Sequence, residues 1–496
     1  MITLIVFGIA QTLSYLSTGA DRSSMLHVVV DKAEVYSPKV IWVDTINPGR
    51  PIETQTLQDI EKDYLNAWYI KQVAYQTQLD RGIDDYYTTS ARKHLRSIIE
   101  DNKRKEISIQ GTTTDHDISL DFYSADGQLA VITDKNVKEY QSIYQKNQFL
   151  LDTKRESNYQ VLLLLEDGFW RIRHMTKQKS KKKKDTIKTK PFTTVSGNKI
   201  YFDDKEYRVK GINYYPQKTP WDMFGDQFDI NAITKDLEII KNAGLNTIRI
   251  FIPYEDFGKA KVLPEKLRKL KQVLDQAEVK GIKVIITLFD FYGDYSVLDW
   301  TLTHRHAEQV VSTFKNHKAV LAWDIKNEPD LDFKNRGEEK VLAWLEEMII
   351  QVKKYDPNHL VTIGWSDTKP AVLLKDKVDI VSFHHYRSID DFETSYTSLK
   401  NQTSKPLVLQ EFGISSNRGL WSPFGTSEKK QASYYQQFQE IITQYEIHYL
   451  FWTLYDFEDI PDKVVGSLPW RKHNQKHFGI IDNKGNKKKA FGMISQ

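Results

Sequence analysis

The stretch AWDIKNEPDLD, residues 322–332, sets Asn327 and Glu328 directly behind a run of apolar residues, and LVLQEFG does the same with Glu411. A short apolar run reads as a buried strand, so a carboxylate at its end is delivered to the rim of a core. Two carboxyl groups on one rim suit the cleavage of a glycosidic bond. One donates a proton to the leaving oxygen, the other attacks the anomeric carbon as an anion, and about 5–5.5 Å between them permits both roles with retention. The chemistry depends on a fold that brings the two residues together.

The C-terminal 300 or so residues supply such a fold. Eight strand-like runs recur: 207–215, 246–252, 283–290, 320–327, 360–365, 379–386, 406–412 and 449–457. Amphipathic segments such as ITKDLEIIKNAGL and RGEEKVLAWLEEMIIQVKKY lie between them and are long enough for crossover helices. Alternation of this kind predicts an α/β domain, a (β/α)8 barrel over residues 191–496, whose active site gathers at the C-terminal ends of the strands. Glu328 then ends the fourth strand and Glu411 the seventh.

The preceding part reads differently. LQDIEKDYLNAWYIKQV places Leu57, Ile60, Tyr64, Ala67 and Trp68 at helical spacings of three and four, and DISLDFYSADGQLAVITD and YQVLLLLEDGFWRIRHM each carry Asp-Gly between strand-like runs. A helix followed by long hairpins predicts an α+β domain over residues 55–176, with a curved sheet wrapped on the helix. Tyr64, Trp68 and Trp170 are expected in its core rather than in a ligand pocket. Residues 177–190, KQKSKKKKDTIKTK, lack apolar periodicity and read as a solvated linker.

At 496 residues, with 40% apolar and 12% aromatic content, the chain exceeds what one core organises. The formal charge of +4 is local: the Lys-rich stretch alone contributes +7, leaving −3 for the rest. No aromatics interleave those lysines to stack bases, so no nucleic-acid partner is expected. The absence of cysteine excludes disulfides, thiolate zinc sites and cysteine nucleophiles. Residues 1–25 open with an apolar run that has no charge before Asp21 and read as a membrane anchor or the remnant of an export signal. A membrane-associated or extracytoplasmic location is expected on that ground.

With the strand ends in view, residues 195–492 resemble clan A glycoside hydrolases, and family five, the cellulase and mannanase family, above all. NEP and LQEFG, one strand set apart in the order the family requires, carry the resemblance. It implies Glu328 as acid/base, Glu411 as nucleophile and Asn327 on the sugar 2-hydroxyl. It implies further that Arg249, in TIRIF, holds the nucleophile, that His384 and Tyr386, in SFHHY, contact nucleophile and sugar, and that Trp452, in LFWTL, stacks on the ring. An Arg keeps a buried carboxylate ionised, and an aromatic face suits the C–H face of a sugar. The helix-then-hairpin order of residues 55–176 resembles the nuclear-transport-factor-two-like, or SnoaL-like, fold.

One position departs from the family pattern. Many members carry a His at the end of the third strand, where this chain reads TLFDFYGDY, so Asp290 is expected to meet a sugar hydroxyl instead. Tyr214, Tyr215, Trp221, Tyr292, Trp300 and Trp421 fall in strand-to-helix loops and are expected to contribute to a glycan groove. The histidine groups HRH (304–306) and HNQKH (473–477) lack a carboxylate partner in a metal-binding motif, so neither metal nor cofactor is expected. The function expected is that of a retaining, endo-acting glycoside hydrolase on β-glucan or β-mannan, whether poly- or oligosaccharide. A transglycosidase using the same two Glu, or a glycan-binding protein without catalysis, are the alternatives.

Overall fold

A computed structural model of the chain describes residues 36–43, 47, 49–178, 192–417, 426–466 and 468–494. The expected anchor at 1–25 lies outside the described residues, as does most of the expected linker; its first two residues, 177 and 178, end a strand. The chain divides into two compact units, one comprising Val29–Ile187 with Tyr295–Arg305, the other Met1–Val28, Lys188–Asp294 and His306–Gln496.

The smaller unit is α+β. Helix α1 (Thr54–Thr77) buries Ile60, Tyr64, Ala67 and Trp68 along one stripe, and α2 (Thr89–Arg104) buries Leu95 and Ile99. Strands β1 (Lys39–Trp42), β3 (Asp115–Tyr123), β4 (Leu129–Gln145), β5 (Gln148–Glu166) and β6 (Phe169–Gln178) form a sheet in that order, with β2 (Ile107–Thr113) paired to the far half of β4. Asp167 and Gly168 both take positive φ, 53° and 82°, in the two-residue turn joining β5 to β6, the backbone that a type I′ hairpin requires. Tyr64, Trp68 and Trp170 sit in the core at 0–2% exposure. The Tyr64 hydroxyl donates to Asp134 at 2.7 Å, and His116 Nδ1 lies 2.6 Å from the same oxygen, so the buried carboxylate is hydrogen-bonded.

Residues 295–305 belong to this unit although they follow a strand of the other. Trp300 is 1% exposed and its ring lies 4.2 Å from that of Tyr140, while Ser37 N–H donates to Thr301 Oγ1 at 2.9 Å.

The larger unit opens with a three-stranded sheet, β7 (Thr193–Ser196), β8 (Lys199–Phe202) and β9 (Lys205–Glu206). Eight parallel strands then close into a barrel: β10 (Lys210–Asn213), β11 (Thr247–Pro253), β12 (Lys283–Asp290), β13 (Val320–Asn327), β14 (Leu360–Trp365), β15 (Val381–His385), β16 (Leu407–Phe412) and β17 (His448–Phe451). Near-continuous burial of these strands is what a parallel sheet covered on both faces demands. Amphipathic helices cover the outside, among them Ile230–Asn242, Pro264–Val279, Glu338–Tyr355 and Glu428–Tyr445. Between β14 and β15 a single short turn, Pro370–Val372, is the only helical element. The eighth strand stops at Phe451, earlier than the run 449–457 suggested, and Trp452 begins the segment beyond it through a cis peptide to Thr453.

Candidate active site

The polar residues that interrupt the barrel strands meet at one end. Arg249, in the middle of β11, is fully buried, and its guanidinium is spoken for on every side. Nε donates to Thr287 Oγ1 and Asp324 Oδ2, both at 3.0 Å; Nη1 donates to Asn213 Oδ1 at 3.1 Å and to Glu411; Nη2 donates to Asp324 Oδ2 at 2.6 Å and to Asn327 Oδ1 at 2.9 Å. Burial opposes the Arg249 charge, but the carboxylates of Asp324 and Glu411 outweigh it and hold the group above its ordinary pKa. A lysine has no fork of donors to make this set.

Glu411 ends β16 with one oxygen on Arg249 and the other accepting from the Tyr386 hydroxyl at 2.8 Å. Burial, then the Glu411 charge, pushes that hydroxyl well above the usual tyrosine range, so it stays a donor. The Tyr386 residue as a whole is 43% exposed and lines the cavity over the site, while its hydroxyl is bonded to Glu411.

Glu328 follows β13 in a left-handed backbone conformation, φ 46°, ψ 52°, that lifts it out of the strand and starts the turn Pro329–Asp332. Its N–H donates to the Gly364 carbonyl at 2.6 Å. Non-glycine residues rarely adopt such φ values, and the strain is accepted where a side chain must be aimed. His384 joins the two glutamates: its Nδ1 lies 2.9 Å from Glu328 Oε1 and 3.7 Å from Glu411 Oε2. Burial alone would lower the imidazole pKa, but the Glu411 and Glu328 charges reverse this and raise it. One oxygen of Glu328, one of Glu411 and a ring nitrogen of His384 all lie within 4.8 Å of one another. Such a trio has ligand types for a cation, yet Arg249, Tyr386 and the imidazole already engage these atoms, so the set reads as a hydrogen-bonded array.

A cavity of about 530 Å³ opens over the array. Asn327, Glu328, Tyr386, Glu411 and Trp452 line it, and Arg249 and His384 support it from beneath, so all seven residues singled out from the sequence converge. Asp290, at the end of β12, also lines it, as do Tyr215 and Trp221. Burial, then the Asp290 charge, raises the Tyr215 hydroxyl well above its ordinary range. The Trp452 ring lies 5.9 Å from that of Trp221 and 6.3 Å from that of Tyr215, giving the cavity one aromatic wall.

Three other aromatics expected there are elsewhere. Tyr214 is buried and donates to Asp236 at 2.7 Å, Tyr292 stacks on Trp344 at 4.8 Å, and Trp300 packs in the smaller unit. Trp421 lies outside the described residues. Sequence reasoning missed Asn213, Thr287, Asp324 and Gly364. Asp324 and Thr287 had a readable signal, a polar group inside an otherwise apolar strand; Gly364 had none.

The profile of the cellulase family, glycosyl hydrolase family 5, matches residues 203–458, just over half of the chain. The chain belongs to that family. Members of its wider neighbourhood are similar at low identity: mannan endo-1,4-β-mannosidase A of Emericella nidulans is 26% identical over 282 residues, covering 46% of this chain and 72% of that protein. The β-glucuronidase of Chlorocebus aethiops is 24% identical over 300 residues, covering 55% of this chain, and the chain spans only 42% of that protein's length. Among solved structures, the exo-β-1,4-mannosidase Op5Man5 from Opitutaceae bacterium strain TAV5 superposes with a TM-score of 0.47 at 18% identity, over 58% of this chain and 59% of that one. Likeness at that level carries no further assignment.

Proposed function

We propose that the chain is a retaining glycoside hydrolase that cuts within β-linked polysaccharides of the glucan or mannan type, with Glu411 as nucleophile and Glu328 as acid and base. The observation that carries this reading is the spacing: a carboxylate oxygen of Glu328 and one of Glu411 lie within 4.8 Å. Double displacement needs carboxyl groups about 5–5.5 Å apart, whereas inversion needs about 6.5–9.5 Å to admit a water.

The surroundings divide the labour. Arg249 and Tyr386 place a donor on each oxygen of Glu411, compensating the charge of an attacking anion and aiming it. Glu328 faces the cavity with its side chain 19% exposed, where a leaving oxygen and then a water arrive. In the first step Glu411 bonds to the anomeric carbon as the glycosidic oxygen takes the proton of Glu328. In the second, Glu328 takes a proton from water, whose oxygen displaces Glu411. His384 orients Glu328 through Nδ1, Asn327 meets the sugar 2-hydroxyl, and Trp452 stacks on the ring. The family match and the mannan-cleaving relative support a β-linked glycan as substrate.

The test is product analysis on defined β-1,4-mannan and β-glucans. Proton NMR of fresh digests should show the β-anomer first, and viscosity should fall before reducing ends accumulate. An α-anomer formed first overturns retention, and release of terminal sugars alone overturns internal cleavage.

A further inference from the structure

The pairing of β15 with β16 shifts register at one place: Phe383 faces Leu409 and His384 faces Glu411, which leaves Gln410 as the extra residue of a bulge. A Cβ built on Gly364 would stand 2.6 Å from Gln410 Oε1, 2.9 Å from Arg249 Nη2 and 3.3 Å from His384 Nε2, so these atoms border one space inside the barrel. The Gln410 carbonyl accepts from Asn213 Nδ2 at 2.8 Å, and this fixes its backbone. Gln410 and His384 are both fully buried, and among the described residues neither amide atom of Gln410 has a hydrogen-bond partner, nor has His384 Nε2. Unpartnered polar atoms are costly in a core, so two such groups on one space belong together. The polarity follows from the imidazole. Burial lowers its pKa, and the Glu411 and Glu328 charges more than reverse this, which favours a proton on each ring nitrogen. Nδ1 faces Glu328 at 2.9 Å, and Nε2–H then calls for an acceptor. Arg249 Nη2 is a donor and is engaged by Asp324 and Asn327, so Gln410 Oε1 is the acceptor among the three atoms.

We propose that Gln410 is a positioning residue whose side-chain oxygen accepts from His384 Nε2–H in the substrate-bound enzyme and so keeps Nδ1–H aimed at Glu328. The proposal rests on the hydrolase reading. Contacts of this kind are long in a free enzyme and tighten around substrate. With Nε2–H engaged, His384 donates to Glu328 Oε1 both while Glu328 carries its proton on the other oxygen and after that proton has gone to the leaving group. An imidazole that lost its Nδ1 proton would instead accept from Glu328 and compete for the proton meant for the glycosidic oxygen. The charged groups around the ring are Glu328 at the end of β13, Glu411 on β16 and Arg249 on β11, while β14 meets it with Gly364. Gln410 is uncharged and acts on the imidazole by hydrogen bonding alone.

The test follows the His384 titration in the full chain by NMR of nitrogen-15-labelled histidine, with the resonance assigned by its loss in H384Q. Q410M keeps the length of the side chain and removes the acceptor, so the midpoint should fall by about one pH unit. Q410E places a carboxylate between the imidazole and Arg249, so the midpoint should rise, and this variant carries the test if Q410M does not fold. A midpoint that stays put in folded Q410M, or fails to rise in Q410E, overturns the proposal. In kinetics, Q410M should lower kcat/KM for a β-linked oligosaccharide about tenfold and move the alkaline limb of its pH profile downward. The same change made in H384Q should cost less than about twofold, because Gln410 acts through His384; a full tenfold loss there would mean a role in packing and overturn the proposal. A shifted midpoint with unaltered kcat/KM would uphold the contact and count against Glu328 as the acid and base.

Discussion

The guanidinium of Arg249, rooted in β11, bonds the carboxylate of Glu411, at the end of β16, across the inside of the barrel, with neither group open to solvent by more than 7% of its side chain. Four other acceptors fix that guanidinium, so Glu411 is held by a piece of the core. Arg249→Met should leave Asp324 and Glu411 uncompensated and lower the unfolding free energy by about 3–5 kcal/mol. Urea denaturation checks this; a loss below about 1 kcal/mol would mean that the two carboxylates relax to solvent.

Gly364 makes the same assembly possible by lacking a side chain. A Cβ there would stand 2.6 Å from Gln410 Oε1, 2.9 Å from Arg249 Nη2 and 3.3 Å from His384 Nε2. The Gly364 backbone also donates to Asp324 and accepts from Glu328. Gly364→Ala should reduce kcat/KM at least tenfold, about 1.4 kcal/mol of barrier, through displacement of Arg249 and His384. Unchanged kinetics in a folded variant would show that the crowding is absorbed elsewhere.

Histidines give the protein opposing responses to pH. Burial lowers the pKa of His306 to about 4, so below its ordinary 6.5 the unfolded chain binds the extra proton and stability rises with pH between about 4 and 6.5. His448 is lowered to about 4 in the same way, by burial first and then by Arg208. His384 is raised instead, so its contribution is complete below 6.5 and is lost as pH climbs through its higher folded value. Thermal unfolding across pH should show a maximum near 6.5, and His384→Gln should flatten the alkaline limb alone. A limb that persists in the variant would belong to another group.

Much of this was legible in the sequence, for identifiable reasons. All eight barrel strands announced themselves because a strand buried on both faces has to be a continuous apolar run, and Glu328 and Glu411 stood out as the polar residues that stop such runs. The Asp167-Gly168 turn was legible because few residue pairs accept positive φ twice over, and at Asp126-Gly127 the glycine alone takes it. What stayed hidden depends on packing. Nothing local distinguishes Trp300, which joins the smaller unit, from Trp221, which lines the cavity. Gly364 looks like any strand glycine until three side chains converge on the space above it.

Trp452 supplies the aromatic wall with Trp221 and Tyr215, and it is 5% exposed. Trp452→Ala should cost about 1–3 kcal/mol of transition-state stabilisation, the scale of burying one large apolar side chain. The loss should appear in kcat/KM with polymeric and aryl substrates alike. A loss confined to polymers would place the ring at a site beyond the scissile sugar.

The two glutamates should fail in different ways, because their environments fit different tasks. In the proposed mechanism Glu411, fixed by Arg249 and Tyr386, makes the bond to carbon, so Glu411→Ala should abolish turnover even of aryl glycosides whose leaving group needs no proton. Glu328, tied to His384 and lining the cavity, is there proposed to supply a proton that a good leaving group does not require. Glu328→Ala should therefore still load Glu411 from an activated aryl glycoside and release one equivalent of phenol. It should then stall for want of a base to activate water. Azide, a nucleophile that needs no base, should restore turnover in Glu328→Ala and yield a β-glycosyl azide, since it attacks the intermediate from the face the aglycone left. An α-glycosyl azide from Glu328→Ala, or substantial activity in Glu411→Ala, would reverse the assignment of roles and remove the retaining mechanism with it.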